Sequence, residues 1–584
     1  MNHNILTPLL LSSLLYVCPA STTSLQNSIE LTLQGRYHSN IFDQSAAEIV
    51  TYDNLSKQTF VINAQSGRVD VINSENINAL NLNTSLNIKA DLQKHLGVKA
   101  GAANSVDVSN GLLAVAVEAQ KKTDSGWVAF YNSQNLTFIH SVNIGALPDM
   151  LTFTENGKQL IVAIEGEPSN NNYATDPEGE IAIIDIDWQQ QNLNIAVTRL
   201  TFRDFNVGEK RHHELPQKLI LNGYNASISE DLEPEYIAIN NNKNKAYITL
   251  QENNAIAVVD LTSKSIQKIM ALGFKDHTLK GNELDGNNKD NTVNIKNEPA
   301  LGLYQPDSVS AVTINNIDYI ITANEGDDRS DWLTGLAQVS CESESFYYHH
   351  KEKACRDDIK LKDALNINVY NPQKYALDLS NFEKDGKYQG ATQQIKFSHS
   401  ITRQFGDLDS DGKIDRLLTF GGRSFSIWDI NNEALVFDSG SDFEDITAAK
   451  YGKKFNQSHN KLNSEDRSDN KGPEPEAITT GVINGQTYAF IGLERIGGIM
   501  VYNISEPRNA KFIQYLNNRD MAVNPSDNKD SNADGIKEYE IDAGDLGPEG
   551  FKFVAAKNSP TNNPILIVGN EVSGTTSFYS IKIK

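Results

Sequence analysis

The sequence predicts an all-β fold, a single β-propeller, on the strength of three observations. One apolar strand motif recurs along the 584 residues, a proline followed by an acid opens the strand before several copies, and a spare strand precedes the first copy. Small antiparallel sheets repeated around an axis are typical of a β-propeller, because neighbouring sheets protect each other's edges. Composition alone leaves the fold class open, so the repeat decides it.

The clearest copy of the repeat lies at residues 472–504. It opens with Pro475 and Glu476, makes an Asn-Gly turn between two apolar strands, and ends the second strand at Glu494. Asn-Gly between alternating apolar runs is the strongest short-range hairpin signal. The segment therefore predicts a β-meander with an acidic residue at each end of its first hairpin.

Eight stretches match the second strand of this segment, and most of them end in glutamate. They are TFVINA (59–64), LLAVAVEA (112–119), QLIVAIEG (159–166), AYITLQEN (246–253), YIITANEG (319–326), LLTFGGRS (417–424), YAFIGLER (488–495) and ILIVGNEV (565–572). The second unit is short and the sixth departs from the pattern. The eight repeat units therefore predict seven or eight four-stranded blades.

The propeller is expected to occupy residues 28–584. The last unit lacks a fourth strand, and the spare strand at 28–34 can supply it, so that pairing of the N-terminal and C-terminal strands closes the ring. Some helix is expected at 359–365. Long polar insertions are expected to form loops on one rim at 203–229, 275–298 and 332–393.

The net charge of −23 argues against a nucleic-acid partner, whose phosphates require a basic surface, and favours cations or basic partners. No apolar run of about 18 residues follows the N-terminus, so no transmembrane span is expected in the mature chain. We expect a monomer.

The N-terminus predicts export. Residues 1–20 hold an apolar core and end in small residues, which is typical of a secretory signal peptide and indicates a secreted or periplasmic protein. Lipid modification at Cys18 is the alternative. The remaining cysteines, Cys341 and Cys355, form an even pair in an oxidising compartment, so a disulfide is expected. In the other interpretation, His349 and His350 between them bind a metal.

Acidic residues at the two ends of the predicted hairpins form five pairs. The start of a first strand and the end of a second strand lie side by side in a hairpin, and propeller blades place the first strand innermost. The pairs should therefore surround one mouth of the central channel and take up a hard cation, Ca²⁺ above all. Alternatively, each acid caps backbone N–H groups of a neighbouring blade. The pairs are Asp149 with Glu165, Glu235 with Glu252, Asp307 with Glu325, Glu476 with Glu494, and Glu549 with Glu571.

Two loops carry oxygen ligands at alternate positions, which is the spacing of a calcium loop. The first places Asp407, Asp409, Asp411 and Asp415 around a glycine; it lacks the final glutamate of an EF-hand, and we expect a hairpin loop that wraps one Ca²⁺. A solvated acidic turn is the alternative. The second, looser loop offers Asp530, Asn532, Asp534 and Glu538.

Basic residues near the acidic mouth are few. An arginine beside bound Ca²⁺ would suit a phosphate or carboxylate ligand, whereas the simpler interpretation is an ion pair with a neighbouring glutamate. His277, His212 and His213 lie in loops and could each act as a general base. No catalytic partner residue stands at a spacing in the sequence that would support this role. The arginines that flank the repeated strands are Arg423, Arg495, Arg329 and Arg519.

Several longer phrases resemble a known family. LPDMLTFTENGK, EGEPSNNNYATDPEGEIAIIDI, TANEGDDR, TFGGRSFSIWDI, GPEPEAITTG, FIGLERIGGIMVYNI and GNEVSGTTSFYSI are similar to phrases of the bacterial choice-of-anchor I proteins, which themselves resemble the mesenchyme-specific cell-surface glycoproteins linked to biomineralisation. The resemblance runs from about residue 35 to the C-terminus. It implies a secreted or surface-held propeller of the YVTN/WD40-like type but brings no catalytic residues. Relatives often end in an anchor segment, whereas residues 581–584 directly follow the last strand, so C-terminal attachment is not expected.

Two functions follow from these observations. The first is a secreted or periplasmic, non-catalytic propeller that holds Ca²⁺ and binds an anionic small molecule, extracellular matrix or mineral through its acidic face. The second is a Ca²⁺-dependent phosphoesterase, similar to the alkaline phosphatases or propeller phytases with which family members are compared, that acts at the acidic mouth with Arg495 or Arg423 holding phosphate.

Overall fold

The structure is a computed structural model that describes residues 28–584, apart from 171, 190–191, 241, 243, 345, 367–375, 385–386, 389 and 526–539. The signal peptide expected at 1–20, with Cys18, lies outside the described residues. So do the ligands expected at Asp530, Asn532, Asp534 and Glu538.

The first half of the chain forms strand β1 (Ile29–His38) and four antiparallel four-stranded sheets. Helix α1 (Ile88–Leu96) follows sheet 1, and helix α2 (Ile228–Asp231) precedes sheet 4. Sheet 1 contains β2 (Val50–Asp53), β3 (Gln58–Asn63), β4 (Arg68–Asn73) and β5 (Asn81–Asn87); sheet 2 contains β6 (Ala100–Ser109), β7 (Leu112–Ala119), β8 (Ser125–Asn132) and β9 (Phe138–Ala146); sheet 3 contains β10 (Pro148–Phe153), β11 (Gln159–Ile164), β12 (Glu180–Gln189) and β13 (Asn192–Thr201); sheet 4 contains β14 (Pro234–Asn240), β15 (Lys245–Leu250), β16 (Ala255–Asp260) and β17 (Ser265–Ala271).

The second half forms three more four-stranded sheets and a large insertion. Before sheet 5 lie β18 (Phe274–Asp276) and β19 (Ala300–Leu303). Sheet 5 contains β20 (Val309–Ile314) and β21 (Ile317–Ala323), then, after the insertion, β31 (Phe425–Asp429) and β32 (Ala434–Asp438); helix α9 (Asp442–Tyr451) follows it; sheet 6 contains β33 (Pro475–Ile483), β34 (Gln486–Leu493), β35 (Ile499–Asn503) and β36 (Lys511–Leu516); sheet 7 contains β37 (Pro548–Val554), β38 (Ile565–Asn570) and β39 (Thr575–Ile583), with β1 as its fourth strand.

The insertion in sheet 5 spans residues 324–424 and consists of short elements. Its helices are α3 (Ser330–Leu333), α4 (Gln338–Ser343), α5 (Leu361–Asn366), α6 (Leu379–Phe382), α7 (Gly390–Gln394) and α8 (His399–Phe405); its strands are β22 (Tyr347–His349), β23 (Ala354–Arg356), β24 (Asp358–Lys360), β25 (Ala376–Leu377), β26 (Glu383–Lys384), β27 (Lys387–Tyr388), β28 (Lys396–Ser398), β29 (Lys413–Ile414) and β30 (Leu417–Thr419).

The seven sheets surround a common axis, as a β-propeller requires. Their first strands contact one another in the order β2, β6, β10, β14, β20, β33 and β37, and β37 contacts β2 again. Each neighbouring pair of sheets, including sheets 7 and 1, shares its own buried apolar cluster. Middle strands such as β38 are buried on both faces for this reason, which explains why the repeated motif is a continuous apolar run.

The N-terminal strand completes the last sheet, as the sequence predicts. Strand β1 pairs antiparallel with β39, with Ile29 opposite Ile583 and Leu31 opposite Ile581. The Asn-Gly turn of residues 472–504 is also present: Asn484 and Gly485 both have positive φ, 50° and 75°, as a tight hairpin turn requires.

Within the described residues the four-stranded sheets number seven, although the sequence contains eight similar repeat units. The unit at 417–424 is not the second strand of a four-stranded sheet. Its strand β30 pairs in parallel with β19, and β21 of sheet 5 pairs directly with β31. Leu417 and Leu418 are fully buried in the clusters that surround the insertion, so their apolar run arises from packing unrelated to a blade.

The disulfide expected between Cys341 and Cys355 is confirmed, and it joins residues 14 positions apart within the insertion. A loop of this size is stabilised by about 3 kcal/mol. His349 Nδ1 accepts a hydrogen bond from the Glu352 backbone N–H at 3.1 Å. No helix in the described ranges is both long and apolar enough to cross a bilayer.

Candidate metal centre at the mouth of the axial channel

One residue at the start of each sheet lies at the mouth of the axial channel, and in five sheets the local cause is an irregularity where the first strand begins. In sheets 2, 3, 4, 6 and 7 the ladder between the first two strands contains a β-bulge, and the bulged residues include Asn104, Asp149, Glu235, Glu476 and Glu549. A bulge turns a side chain out of the regular alternation of the strand. The proline that opens four of these strands has no N–H to contribute, so the ladder tolerates it there.

The mouth also contains an acid that the sequence pattern does not identify. Glu48 stands two residues before β2, as Asp307 stands two residues before β20, but no proline precedes it. Asn104 fills the corresponding position in sheet 2. We call the six acids, Glu48, Asp149, Glu235, Asp307, Glu476 and Glu549, the axial ring. A cavity of about 170 Å³ is lined by five of them together with Asn104 and Glu165.

The five acid pairs expected from the sequence are neighbours in the structure. After burial, Glu252 is the largest cause that raises the pKa of Glu235, and the same holds for Glu325 on Asp307, Glu494 on Glu476 and Glu571 on Glu549. Asp149 likewise raises the pKa of Glu165, after burial and Glu167. The ends of the second strands therefore form a second tier of carboxylates beside the axial ring.

Several carboxylate oxygens in the two tiers are buried without a hydrogen-bond partner. Capping of backbone N–H groups does occur at Glu118, whose Oε1 accepts from the Ala102 N–H at 2.8 Å. It cannot account for the unpartnered atoms, and a buried polar atom without a partner is costly. The unpartnered atoms are the Oε2 atoms of Glu48, Glu235, Glu252, Glu476, Glu494 and Glu549.

Burial and mutual repulsion oppose ionisation of the axial ring. Burial, followed by Glu571 and Asp149, raises the pKa of Glu48 well above its ordinary value. Burial, followed by Glu167 and Glu118, raises the pKa of Asp149 to about 7. Carboxylates in this situation either keep a proton or take up a cation. The acids of the axial ring are therefore harder to ionise than exposed carboxylates.

Lysine and arginine side chains neutralise the sector of the mouth next to sheets 5 and 6. Lys471 Nζ lies 2.6 Å from Glu325 Oε1 and 3.2 Å from Glu474 Oε2. Arg495 Nε lies 3.0 Å from Glu474 Oε2, and its Nη1 lies 2.8 Å from Glu494 Oε1. Burial alone would raise the pKa of Glu494, but Arg495 and a hydrogen bond to His459 outweigh it and lower that pKa. Among the described residues, no ion pair involves a member of the axial ring.

The other three arginines form ion pairs or bind carbonyls away from the axial ring. Arg329 pairs with Asp231 at 2.8 Å and Glu233 at 2.9 Å, Arg423 pairs with Glu444 at 2.6 Å, and Arg519 donates to the Arg495 carbonyl at 2.8 Å. Burial holds the pKa of His277 well below its ordinary value, and His212 Nδ1 lies 3.1 Å from the Phe205 carbonyl. Of the four arginines, Arg495 pairs with Glu494, and Arg329 partly offsets the effect of burial on the pKa of Glu252.

Among the described residues, three groups of side chains bring potential metal ligands within 4.8 Å of one another: His459, Glu494 and Glu571; Glu325, Glu474 and Glu494; and Asp407, Asp409 and Asp415. The first two lie in the sector that Arg495 and Lys471 already neutralise. The third belongs to the loop that the sequence singles out.

The Asp407 loop differs from the expected hairpin, because it joins helix α8 to strand β29. Asp407 Oδ1 is buried without a partner, while Asp407 Oδ2 accepts from the Gly412 N–H at 2.9 Å and Asp415 Oδ2 accepts from the Leu408 N–H at 2.8 Å. Asp411 instead pairs with Lys413 at 2.7 Å. Helix followed by an oxygen-rich loop is the first half of an EF-hand, which explains why the spacing fits and the final glutamate is missing.

The axial channel continues below the mouth. Ile49, Met150 and Tyr236 line both the mouth and a second cavity of about 200 Å³, which also contains Asp107 and Lys552. These last two form an ion pair at 3.2 Å. Apolar and aromatic side chains thus lie between the carboxylates of the mouth and the ion pair further along the channel.

Comparison with known proteins identifies relatives by sequence. The model of the choice-of-anchor I domain matches residues 48–507. Gigasin-3a of Magallana gigas is 30% identical over 191 residues, which are 31% of this chain and 63% of that protein, so the chain matches less than two thirds of that relative.

Solved structures superpose only loosely. Hydrazine synthase of Kuenenia stuttgartiensis gives a TM-score of 0.41 at 9% identity over 92% of this chain and 96% of that chain. The β-propeller domain of Cps50 (Swd1) from Myceliophteria thermophila gives 0.36 at 8% identity, over 94% of this chain and all of that chain. The fold therefore rests on the sheets described above. The domain model, in contrast, covers most of the sequence, and the chain belongs to the choice-of-anchor I family.

Proposed function

We propose that this protein is a secreted or periplasmic, seven-bladed β-propeller that binds Ca²⁺ in the axial ring and acts as a non-catalytic binding protein. The observation that carries the proposal is the set of buried Oε2 atoms of Glu48, Glu235 and Glu549, three residues that line one cavity and whose Oε2 atoms have no hydrogen-bond partners. The family and the disulfide between Cys341 and Cys355 support a location outside the cytoplasm.

The chemistry of the ligands favours calcium. The axial ring offers carboxylates, and Asn104 adds one amide beside them. A hard cation with six to eight oxygen ligands suits such a set better than a metal that prefers nitrogen or sulfur. The cavity of about 170 Å³ is larger than one water molecule requires, so a cation could keep part of its hydration shell there. An ion held in this way leaves coordination positions that an anionic small molecule, matrix component or mineral surface can occupy.

We assign the Asp407 loop a separate, structural role. Asp407, Asp409 and Asp415 would hold a second Ca²⁺ between α8 and β29, where the buried, unpartnered Asp407 Oδ1 supports binding. This ion would stabilise the insertion rather than form part of the mouth.

Isothermal titration of chelator-stripped protein tests the axial ring. The Asp407→Asn/Asp409→Asn background removes the loop site, so that the remaining heat reports other sites. Adding Glu235→Gln and Glu549→Gln should weaken Ca²⁺ binding at least about tenfold, because two of the unpartnered carboxylates lose their charge. Glu75→Gln, at an exposed position on the outside of sheet 1, is the control. Equal Ca²⁺ binding with and without the two ring substitutions would refute the proposal.

The Ca²⁺-dependent phosphoesterase is the second candidate, and the position of Arg495 favours it. Arg495 Nη1 lies 2.8 Å from Glu494 Oε1 and 2.6 Å from His459 Nδ1, so a guanidinium and an imidazole stand beside carboxylates that could hold a metal. Turnover of p-nitrophenyl phosphate or phytate that requires Ca²⁺ and disappears in Arg495→Lys and Glu494→Gln would establish it. No turnover over a broad panel of phosphoesters would leave the binding function.

A further inference from the structure

A further cavity, of about 560 Å³, lies in sheet 2, outside the axial channel. It forms where residues 98–99, which precede β6, approach the turn 119–125 between β7 and β8. The turn directly follows Glu118, whose carboxylate contacts the start of β6, so the cavity opens on the same face of the propeller as the mouth. We call it the sheet 2 cavity. Its polar lining consists of Lys99, Gln120, Lys121, Asp124, Ser125 and Trp127.

Trp127 is held at the cavity by an irregularity at the start of β8. The ladder between β8 and β9 shifts its register between Ser125 and Trp127, and a bulge turns a side chain out of the regular alternation of the strand. The Asn143 side-chain amide donates to the Gly126 carbonyl oxygen at 3.0 Å. A Cβ at Gly126 would lie 2.5 Å from the Val117 carbonyl oxygen, so the close approach requires glycine. The position of Trp127 is therefore fixed by the sheet itself.

The indole N–H of Trp127 differs from that of the other three tryptophans. The indole nitrogens of Trp188, Trp332 and Trp428 donate to protein acceptors at 3.2, 2.6 and 3.0 Å respectively. Within the residues that the structure describes, Trp127 Nε1 donates to no protein atom, although the side chain is half-buried against the apolar cluster between sheets 1 and 2. An indole with an apolar body and an available N–H is typical of interfaces. Trp127 thus offers a ligand both an aromatic ring and a donor.

Two lysines at the sheet 2 cavity lack acidic partners. Lys122, the next residue along the turn, pairs with Glu167. Lys99 and Lys121 are exposed, and neither takes part in an ion pair in the described part of the chain. The chain has a net charge of −23, so most of its surface repels anions, whereas two unpaired ammonium groups at one cavity attract them.

The remaining polar groups narrow the class of ligand. Asp124 and Gln120 are exposed and provide oxygen atoms that accept hydrogen bonds from hydroxyl groups. The Asp124 carboxylate would repel a ligand with a charge on every unit and no hydroxyl groups to donate to it. A sugar ring has an apolar C–H face that can pack on an indole, and its hydroxyl groups can donate to acids and amides. The lysines add the requirement of an anionic group.

We infer that the sheet 2 cavity binds an acidic saccharide, whose sugar rings carry carboxylate or sulfate groups. Trp127 packs against one ring, Lys99 and Lys121 bind the anionic group, and Asp124 accepts hydrogen bonds from hydroxyl groups. The volume of the cavity lies within the range of about 300 to 1,000 Å³ that is usual for ligand pockets. None of these residues belongs to the axial ring, so the site requires no Ca²⁺ and does not depend on the function proposed for the mouth.

Isothermal titration with tetragalacturonate in EGTA tests the site, because the chelator removes any Ca²⁺ that could bridge the saccharide to the mouth. Trp127→Ala should weaken binding at least about fivefold, and Trp127→Phe should weaken it less, because phenylalanine keeps an aromatic ring. Lys99→Ala/Lys121→Ala changes only exposed side chains, so it should fold normally and should weaken binding about fivefold. Lys289→Ala/Lys557→Ala removes the same charge from exposed positions outside sheet 2 and should bind as the wild type does.

Three further probes establish the class of ligand. A tetrasaccharide from chondroitin sulfate distinguishes sulfate from carboxylate as the anionic group, and cellotetraose lacks an anionic group. Polyglutamate carries carboxylates without sugar rings. Cellotetraose and polyglutamate should both bind at least about fivefold more weakly than the better of the two acidic tetrasaccharides. The inference is overturned if neither acidic tetrasaccharide binds in EGTA, if the Trp127→Ala or the double lysine variant binds as the wild type does, or if cellotetraose or polyglutamate binds equally well.

Discussion

Without Ca²⁺, the carboxylates of the mouth should make the protein less stable as the pH rises toward neutrality. An acid whose pKa is higher in the folded than in the unfolded state binds more protons when folded, so the free energy of unfolding falls with rising pH between the two values. Burial and neighbouring carboxylates raise the pKa of Asp149 and Glu571 to about 7. Their stabilising protons are therefore lost between about pH 4 and about pH 7, and bound Ca²⁺ should replace them.

The size of the effect follows from the number of protons involved. Each group changes the free energy of unfolding by about 1.4 kcal/mol per pH unit over this range. For Asp149 and Glu571 together, a rise from about pH 5.5 to about pH 7 gives a loss of about 3 kcal/mol, because both groups are already partly deprotonated as the pH approaches 7. Divided by the entropy of unfolding of a chain of this length, that loss lowers Tm by about 3 °C.

Scanning calorimetry in EGTA and in saturating Ca²⁺ measures this difference. Burial lowers the pKa of His277 and of His399, and these groups act in the opposite direction below about pH 6.5, so the useful quantity is the difference from a variant. Asp149→Asn/Glu571→Gln should lack the Ca²⁺-sensitive part of the pH dependence, whereas Glu75→Gln should retain it. If the double variant and the wild type show the same pH dependence in EGTA, the account of the ring is wrong.

Two further outcomes are expected from single substitutions. Lys471→Met leaves the buried carboxylates of Glu325 and Glu474 without this partner and should lower the free energy of unfolding by about 3 to 5 kcal/mol in urea titrations; a loss below about 1 kcal/mol would show that the pair contributes little. Leu31→Ala should cost about 2 to 5 kcal/mol because Leu31 is 2% exposed between sheets 7 and 6, whereas Ile583→Ala, at a half-exposed position on the partner strand, should cost much less. Equal losses would contradict the role of β1 in the core.

The sequence predicts the fold and most acids of the mouth because both depend on local order. Each hairpin places its proline-acid step beside the end of its second strand, so the five acid pairs could be recognised from neighbouring residues alone. Glu48 was missed because no proline precedes it, and Asn104 because it carries no charge. The apolar run at 417–424 was wrongly predicted to be a blade strand, because burial within an insertion produces the same apolar pattern as burial within a blade.

Contacts between distant segments could not be predicted. Lys471 and His459 reach the mouth from the segment before β33, and nothing in their spacing indicates which carboxylates they meet. Glu465 stands 174 positions from Asn291, to which it is hydrogen-bonded. Only the folded ring of sheets brings these residues together, so a search along the sequence finds the Asp407 loop and passes over these contacts.

The pairing of β1 with β39 also determines the order in which the chain can fold. Leu31 meets Ile581 across nearly the whole sequence, and closing a free chain of that length would cost about 6 kcal/mol in entropy. Once the other sheets have stacked, they hold the two strands close, so this pairing should form last and be the first to open. A chain that leaves a ribosome or a translocation pore from its N-terminus must therefore carry an unmatched first strand until β39 has followed it, and the edge of β39 is where another copy of the chain could pair by mistake.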